Sequence, residues 1–354
     1  MTILQVCAYA APYEGNFIKS LKALGEALLQ KNIKMIYAFP ETCKSIEWCK
    51  ELENQTSVYY LPLAKARIKP ATYSVLKKIY DEHCDISVIH SHFELYDVPV
   101  VVTAPKGTKV FWHLHDAIQE YTTLRYRLEH KIQYGMFHKN AILLSVSEKH
   151  RDYAISKGFP KENARFVPNG LNLDRIKFVN YNEKKEFDFL MFGWEIERKG
   201  VDLCLEAVKQ LGTELNVGIV GIDKTRKEII NRYGFVSGVE VIDPVDDIND
   251  LYGKSRCFLH ISRAEGLSYA LLEVIYAGMP VICSDISENS FASKFPTVSM
   301  VKNESVNDIT KAMKKQLANP IPNIKDVELS RKMIVDEYSV SCWVENILYH
   351  YEVD

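Results

Sequence analysis

The chain has 354 residues, 47% apolar and 25% charged, with a formal net charge of −2. That composition is ordinary for a soluble globular protein of about two domains, and it excludes fibrous, low-complexity and disulfide-scaffold chains. The most apolar stretch, 274–283, contains Gly278 and Pro280 and is far shorter than the ~20 residues of a bilayer span.

Strand-like and helix-like segments alternate from the start. The apolar run 3–9 reads as a strand and leads through a loop into 16–30, where Phe17, Leu21, Leu24 and Leu28 repeat at helical spacing. Strands follow at 35–39, 59–63, 86–90, 110–115, 141–146 and 165–168, with helices at 71–83, 125–138 and 148–157. The apolar signal falls through 178–186, where a linker is expected, and the pattern then restarts. Strands at 187–192, 217–220, 239–242, 257–261 and 281–284 alternate with helices at 201–211 and 271–276. Continuous apolar strands separated by helices predict parallel sheets covered on both faces. The fold class is α/β, with two Rossmann-like, doubly wound domains at 1–175 and 176–339.

Residues 1–175 carry 23 Lys/Arg against 18 Asp/Glu, and residues 176–354 carry 21 against 28. A first half at +5 and a second at −7 do not suggest a nucleic-acid partner. The basic half is compatible with an anionic membrane surface or acceptor. Residues 1–11 lack a basic run, so no secretory leader is expected. The eight cysteines are scattered without a CxxC pair, which points to a reducing, cytoplasmic compartment.

The most informative segment is RAEGLSYALLEVIYAGMPVIC, residues 263–283. A buried strand runs into a turn holding Glu265 and Gly266, and a helix carrying Glu273 follows. Ligands of open parallel sheets bind at the carboxyl ends of strands. Free N–H groups at a helix start favour a phosphate, and Gly266 lets backbone approach it closely. Glu273 lies eight positions after Glu265, about two helical turns, so both are expected on a similar side. The pair suits a nucleotide-linked ligand with hydroxyls at both ends.

This string resembles the E-x7-E signature of the retaining glycosyltransferases of family 4, whose GT-B fold sets two Rossmann-like domains about a central cleft. FVPNG (166–170) resembles the family's segment at the end of the first domain. FGWEIERKGVD (192–202) resembles its phosphate loop, and VIDPV (241–245) its base-binding segment. Residues 343–351 resemble the C-terminal helix that crosses back to the first domain, expected at about 340–354.

The resemblance implies a hexosyltransferase that moves a hexosyl unit from a nucleotide-sugar, expected to be a UDP-sugar, to a hydroxyl of a glycan, glycolipid or cell-surface polysaccharide. It implies catalytic roles for Glu265, His115 and Lys199. His115 comes from WHLHD (112–116), with His113 as the register alternative. Donor-binding positions are Gly15, Asn16, Gly193, Arg198, Lys199, Pro244, Gly266, Leu267, Ser268 and Glu273. His113, Asp116 and Asn169 are acceptor candidates.

The chain departs from the family at Trp194, which stands where an arginine usually assists Lys199. Arg198 is next door and either replaces it or is a surface charge. The sequence contains no D-x-D triplet, and no metal or other cofactor is expected. His90/His92 and His113/His115 are alternate residues on strands, so each pair shares a face. Zinc needs three or four ligands, and His90 and His92 read as strand-end hydrogen bonders.

Arg125, Arg127, Lys131 and Lys139 interleave with Tyr121, Tyr126, Tyr134, Met136 and Phe137. This is either a face for a lipid-linked acceptor, giving peripheral contact with the inner membrane, or an ordinary amphipathic helix. The rival functions are a non-catalytic partner subunit that binds a nucleotide-sugar or glycan, a sugar-nucleotide epimerase, and a phosphorylase of similar architecture.

Overall fold

The computed structural model describes residues 1–115, 124–138, 140–212, 214–245 and 247–353. The chain divides into two compact units, Met1–Gly170 with Val340–Asp354, and Leu171–Ser339. The division follows Gly170, ahead of the 175/176 boundary expected from sequence. Residues just beyond it are tied to the second unit. Leu171 N–H donates to the Tyr338 carbonyl at 2.7 Å, and Val179 N–H to the Ala277 carbonyl at 2.9 Å. The polar stretch 178–186 therefore belongs to the second unit.

The first unit holds β1 (Thr2–Cys7), β2 (Lys34–Pro40), β3 (Val58–Leu61), β4 (Ile86–His92), β5 (Lys109–Leu114), β6 (Ala141–Ser145) and β7 (Ala164–Phe166). They form one sheet in the order β3-β2-β1-β4-β5-β6-β7, and all pairs are parallel. Every residue of β1 is buried, because helices and their side chains cover both faces.

The helix Val340–Tyr351 returns to this unit. Trp343, Val344, Ile347 and Tyr351 join Leu21, Leu24 and Leu28 of the helix Gly15–Gln30 in one core. Burying Val344 and Ile347 contributes roughly 1.5–3 kcal/mol each. A Cβ on Gly170 would sit 2.6 Å from that of Trp343, so only glycine lets the helix pack there.

The second unit holds β8 (Phe187–Phe192), β9 (Val217–Val220), β10 (Val239–Ile242), β11 (Ser255–His260), β12 (Val281–Asp285) and β13 (Val298–Lys302). Their order is β10-β9-β8-β11-β12-β13, again all parallel. The helix Asp223–Tyr233 was not expected, since Thr225 and Ile229 are its only buried residues and its apolar signal is thin.

Strand order reverses between β1 and β4 in the first sheet and between β8 and β11 in the second. Such switch points open a crevice at the carboxyl ends of the strands. At these ends lie His92 in the first unit, and Gly193 and the segment 261–268 in the second.

Candidate functional site

In the second unit, β8 ends at Phe192 and the chain turns sharply. Gly193 N–H donates to the Val220 carbonyl at 2.8 Å, and a Cβ there would lie 2.4 Å from Ile219 Cγ2. The loop then leads to Gly200 at φ +71°, where a Cβ would be 2.2 Å from the Ile261 carbonyl oxygen. Both glycines are required by close approach, and Gly200 also by its left-handed backbone.

Arg263 fastens this loop to the end of β11. Its guanidinium grips Asp202 with two bonds of 2.8 and 2.6 Å, and the Arg263 backbone N–H donates to the Arg198 carbonyl at 2.8 Å. The loop therefore presents Arg198 and Lys199 on a fixed backbone.

Both cations converge on one carboxylate. Lys199 Nζ donates to Glu265 Oε1 at 2.6 Å and Arg198 Nη1 to Glu265 Oε2 at 3.3 Å. Arg198 also bonds Glu195 at 2.9 and 2.8 Å. The Arg198 side chain thus lies between Glu195 and Glu265, beside Lys199. Trp194 is nearly half exposed (47%), stacks on Phe192 at 5.0 Å, and lies under the Lys199 ammonium at 5.4 Å.

Lys199 and Glu265 are both buried. Burial opposes the Glu265 charge, but His260, Lys199 and Arg198 more than offset it and hold the carboxyl down at about 2. His260 is itself pushed down to about 4 by burial, so near pH 7 the two permanent cations supply the attraction. Burial also lowers the Lys199 pKa, with Glu265 opposing the shift. The result is a buried charge pair next to a second cation, an arrangement that an incoming polyanion can compete for.

Glu265 precedes the helix Tyr269–Tyr276, whose N-cap Ser268 accepts from the Leu271 N–H at 3.4 Å. Only part of the path from Glu265 to Glu273 is therefore helical. The two-turn spacing expected from sequence is corrected, because the capping serine delays the helix. Glu273 is buried, accepts from the Tyr252 hydroxyl at 3.0 Å, and lies 3.5 Å from Arg175 Nη2. Leu267 and Ser268 are buried and Gly266 is half-buried in the same turn. Pro244 is exposed just past β10, at the sheet edge.

In the first unit, Gly15 opens its helix at φ +57°, and the Tyr9 hydroxyl closes the preceding loop on the Tyr13 and Glu14 carbonyls at 3.0 and 3.2 Å. Asn16 is buried, and its carbonyl accepts from Ser20 Oγ at 2.9 Å. Asp116, Tyr121 and Lys139 lie outside the described residues, as does the Arg125 side chain.

The two His-x-His pairs are not separate, because β4 and β5 are neighbours. His92 Nδ1 is 2.9 Å from His115 Nε2, and His90 Nε2 is 3.2 Å from His113 Nδ1. His90 Nδ1 meets the Tyr351 hydroxyl at 2.6 Å, His92 Nε2 meets Gln5 Oε1 at 2.9 Å, and His115 Nδ1 lies 3.3 Å from Asn169 Oδ1. Donor nitrogens of His90, His92 and His113 lie within 4.8 Å of one another. Pairwise separation, as expected from sequence, gives way to one ladder. Among the described residues it contains no carboxylate or thiolate, and its nitrogens pair with one another, Gln5, Tyr351 and Asn169, except His113 Nε2, which has no partner.

Burial keeps these rings neutral. His90, His92 and His113 are driven well below the usual histidine range, and His115 is pushed down to about 3. Phe17 packs its edge against both His92 and His115 at 5.1 Å.

Two family models match the chain in succession. Residues 19–175 match the model for Glycosyltransferase Family 4, and residues 173–335 match that for Glycosyl transferases group 1. The chain belongs to this glycosyltransferase family. The capsular polysaccharide biosynthesis glycosyltransferase CapH of Staphylococcus aureus is 27% identical over 264 residues, 69% of this chain and 71% of CapH. The lipopolysaccharide glucosyltransferase WaaG of Escherichia coli (strain K12) is 30% identical over 126 residues, 34% of this chain and 33% of WaaG.

Among solved structures, Anabaena HepE in complex with UDP gives a TM-score of 0.81 at 14% identity, over 99% of this chain and 100% of HepE. A glycosyltransferase from Rickettsia africae ESF-5 gives 0.80 at 14% identity, over 99% and 97%. These likenesses show the GT-B fold of the glycosyltransferase.

Gln5, Arg175 and His260 of these clusters were not singled out from sequence, and Tyr351 was named only as the end of its helix. For Gln5 and His260 a signal existed. Each is a polar residue inside an apolar strand, and a buried polar group must find a partner.

Proposed function

We propose that the glycosyltransferase moves a hexosyl unit from a UDP-sugar to a hydroxyl of a glycan, glycolipid or cell-surface polysaccharide, with retention and without a metal ion. The observation that carries this reading is the convergence of Lys199 and Arg198 on Glu265 at 2.6 and 3.3 Å. Two adjacent cations on a loop fixed by Gly200 and Arg263 suit a diphosphate. A charge-assisted hydrogen bond contributes roughly 1.5–3 kcal/mol. Arg198 beside Lys199 weighs against the non-catalytic reading that Trp194 raised. The HepE complex with UDP supports the choice of base, and CapH and WaaG support a capsule- or lipopolysaccharide-like acceptor.

In this reading the second unit takes the donor and the first the acceptor. Lys199, Arg198 and the backbone of 266–268 hold the diphosphate, and Gly193 leaves room for it, with Gly15 and Asn16 kept as donor-side positions of the first unit. Glu273, held by Tyr252, takes the ribose hydroxyls, and Pro244 lies by the base. Glu265 contacts the transferred sugar, and His115 lies beside it. The bond from the anomeric carbon to the diphosphate oxygen breaks, and its electron pair leaves with UDP. The acceptor oxygen bonds the oxocarbenium-like carbon on the same face, and its proton passes to the departing phosphate. Stabilising that phosphate by preorganised cations is the main catalytic contribution. Asn169 and His113 are kept as acceptor-side positions.

The helix Leu124–Met136 supports membrane contact. Leu128, Ile132 and Met136, at successive i,i+4 positions, are exposed, and Arg127 and Lys131 are exposed beside them. An apolar stripe flanked by cations suits an anionic lipid surface at the inner face of the membrane.

The test is turnover of a panel of UDP-hexoses with extracts of lipid-linked glycan, in EDTA. Acceptor-dependent UDP release with an α-linked product is expected. Release only on adding a divalent metal, or an inverted product, would overturn the reading.

A further inference from the structure

We propose that Gln5 is the positioning residue that sets the proton on His115, keeping hydrogen on Nε2 and a lone pair on Nδ1. This rests on the reading of His115 as a residue beside the transferred sugar.

Gln5 is fully buried in the middle of β1. Its amide is the hub to which both arms of the histidine ladder attach. Nε2 lies 2.9 Å from the Tyr351 hydroxyl and 3.4 Å from Met35 Sδ, and Oε1 lies 2.9 Å from His92 Nε2. A thioether sulfur only accepts hydrogen bonds, so Met35 identifies the amide end that carries the hydrogens. His92 must then donate from Nε2 to Gln5 Oε1.

A neutral imidazole has one donor and one acceptor nitrogen, so this first bond orders the rest. His92 Nδ1 is an acceptor, and the proton between it and His115 Nε2, 2.9 Å away, belongs to His115. His115 Nδ1 then keeps a lone pair, and the Asn169 amide, whose Oδ1 is placed 3.3 Å from it, must turn to present its N–H there. The oxygen and nitrogen of such an amide are assigned from the network around them.

The other arm runs outward from the same hub. Tyr351 accepts from Gln5 and donates to His90 Nδ1, and His90 Nε2 donates to His113 Nδ1. The arm ends at His113 Nε2, which has no hydrogen-bond partner among the described residues. If the Gln5 amide were reversed, every proton in both arms would shift to the other nitrogen. His115 would then present Nδ1–H instead of a lone pair, and the bond to Met35 would be lost. One buried amide thus sets the protonation register of four rings, and it does so from outside contact with the sugar.

The test is nitrogen-15 NMR of histidine-labelled full-length protein, with kcat, KM and calorimetric UDP affinity for each variant. His115 should show the Nε2–H tautomer in the wild type. In Gln5→Leu it should become a mixture of tautomers, with kcat down roughly tenfold or more and UDP affinity unchanged. Tyr351→Phe, which spares the Gln5–His92 bond, should keep the wild-type tautomer and serves if Gln5→Leu does not fold. His115 carrying its proton on Nδ1, or an unchanged tautomer in Gln5→Leu, would overturn the proposal. A tautomer change with unchanged kcat, together with an active His115→Ala, would support Gln5 as the setter and reject the sugar-side role of His115.

Discussion

Lys199 Nζ lies 2.6 Å from Glu265 Oε1, and both side chains are buried. A buried pair of this kind costs desolvation on both sides, and breaking it from one side leaves an unpaired charge. A diphosphate would therefore arrive at cations already held in place. Glu265→Ala should lower turnover by on the order of 10²-fold if the carboxylate acts on the transition state. UDP affinity should hold or rise, since the competing anion is gone. Steady-state kinetics beside calorimetry checks both halves, and near-normal turnover would remove Glu265 from the chemistry.

Arg198 shares that carboxylate at 3.3 Å, and it is proposed to take the part left open by Trp194. Arg198→Ala should weaken UDP binding roughly 10- to 100-fold, the equivalent of one lost charge-assisted hydrogen bond. Trp194→Ala should matter much less, because its ring contributes only a partly exposed cation–π contact with Lys199. If the two variants bind UDP equally well, Arg198 is not the replacement cation.

Much of this could be read from the chain. The strands at 187–192, 217–220 and 239–242 lie where the apolar runs ended, because both-face burial leaves few polar interruptions. The string from Arg263 to Cys283 located the turn holding Glu265 and the helix carrying Glu273. Two things were beyond reading. The direction of the Arg198 side chain depends on Gly200 and on the Arg263–Asp202 grip, which fix the loop from 61 positions away. The histidine ladder depends on β4 and β5 being neighbours and on Tyr351 arriving from 261 positions further along. Spacing within one strand cannot report pairing between strands.

Gly200 is the backbone point on which the cations depend. Gly200→Ala puts a Cβ at a left-handed residue and 2.2 Å from the Ile261 carbonyl oxygen, so the loop must move. The expected cost is on the order of 1–3 kcal/mol, with a lowered Tm and weakened UDP binding together. A variant that melts normally and binds UDP normally would show that the loop does not need this geometry.

Stability should fall with acid well before the carboxylates titrate. His90, His92, His113 and His115 are held neutral by burial, His115 down to about 3, whereas unfolded histidine titrates near ~6.5. The unfolded chain therefore binds more protons below that pH. The stabilisation is complete above pH ~6.5 and is lost as pH falls toward the folded values, at about 1.4 kcal/mol per pH unit for each such ring. Glu265 adds a later loss, as pH drops through the ordinary carboxylate range toward its folded value of about 2. Tm measured from pH 8 to pH 4 should fall steeply below about 6.5. A flat profile down to pH 5 would mean that the ladder is already charged or exposed.

Leu128, Ile132 and Met136 offer an apolar stripe between exposed cations. Replacing all three with serine should reduce binding to phosphatidylglycerol vesicles roughly tenfold or more, with turnover on a water-soluble acceptor unchanged. Equal vesicle binding by wild type and variant would assign the helix no membrane role.

The proposed mechanism depends on Lys199 holding the donor diphosphate without a metal. Calorimetric titration of UDP in EDTA tests it most directly, with wild type and Lys199→Ala side by side. Saturable binding by the wild type and a loss of roughly tenfold or more in Lys199→Ala are expected. Wild-type binding that appears only with a divalent cation, or equal affinity in the two proteins, would contradict it.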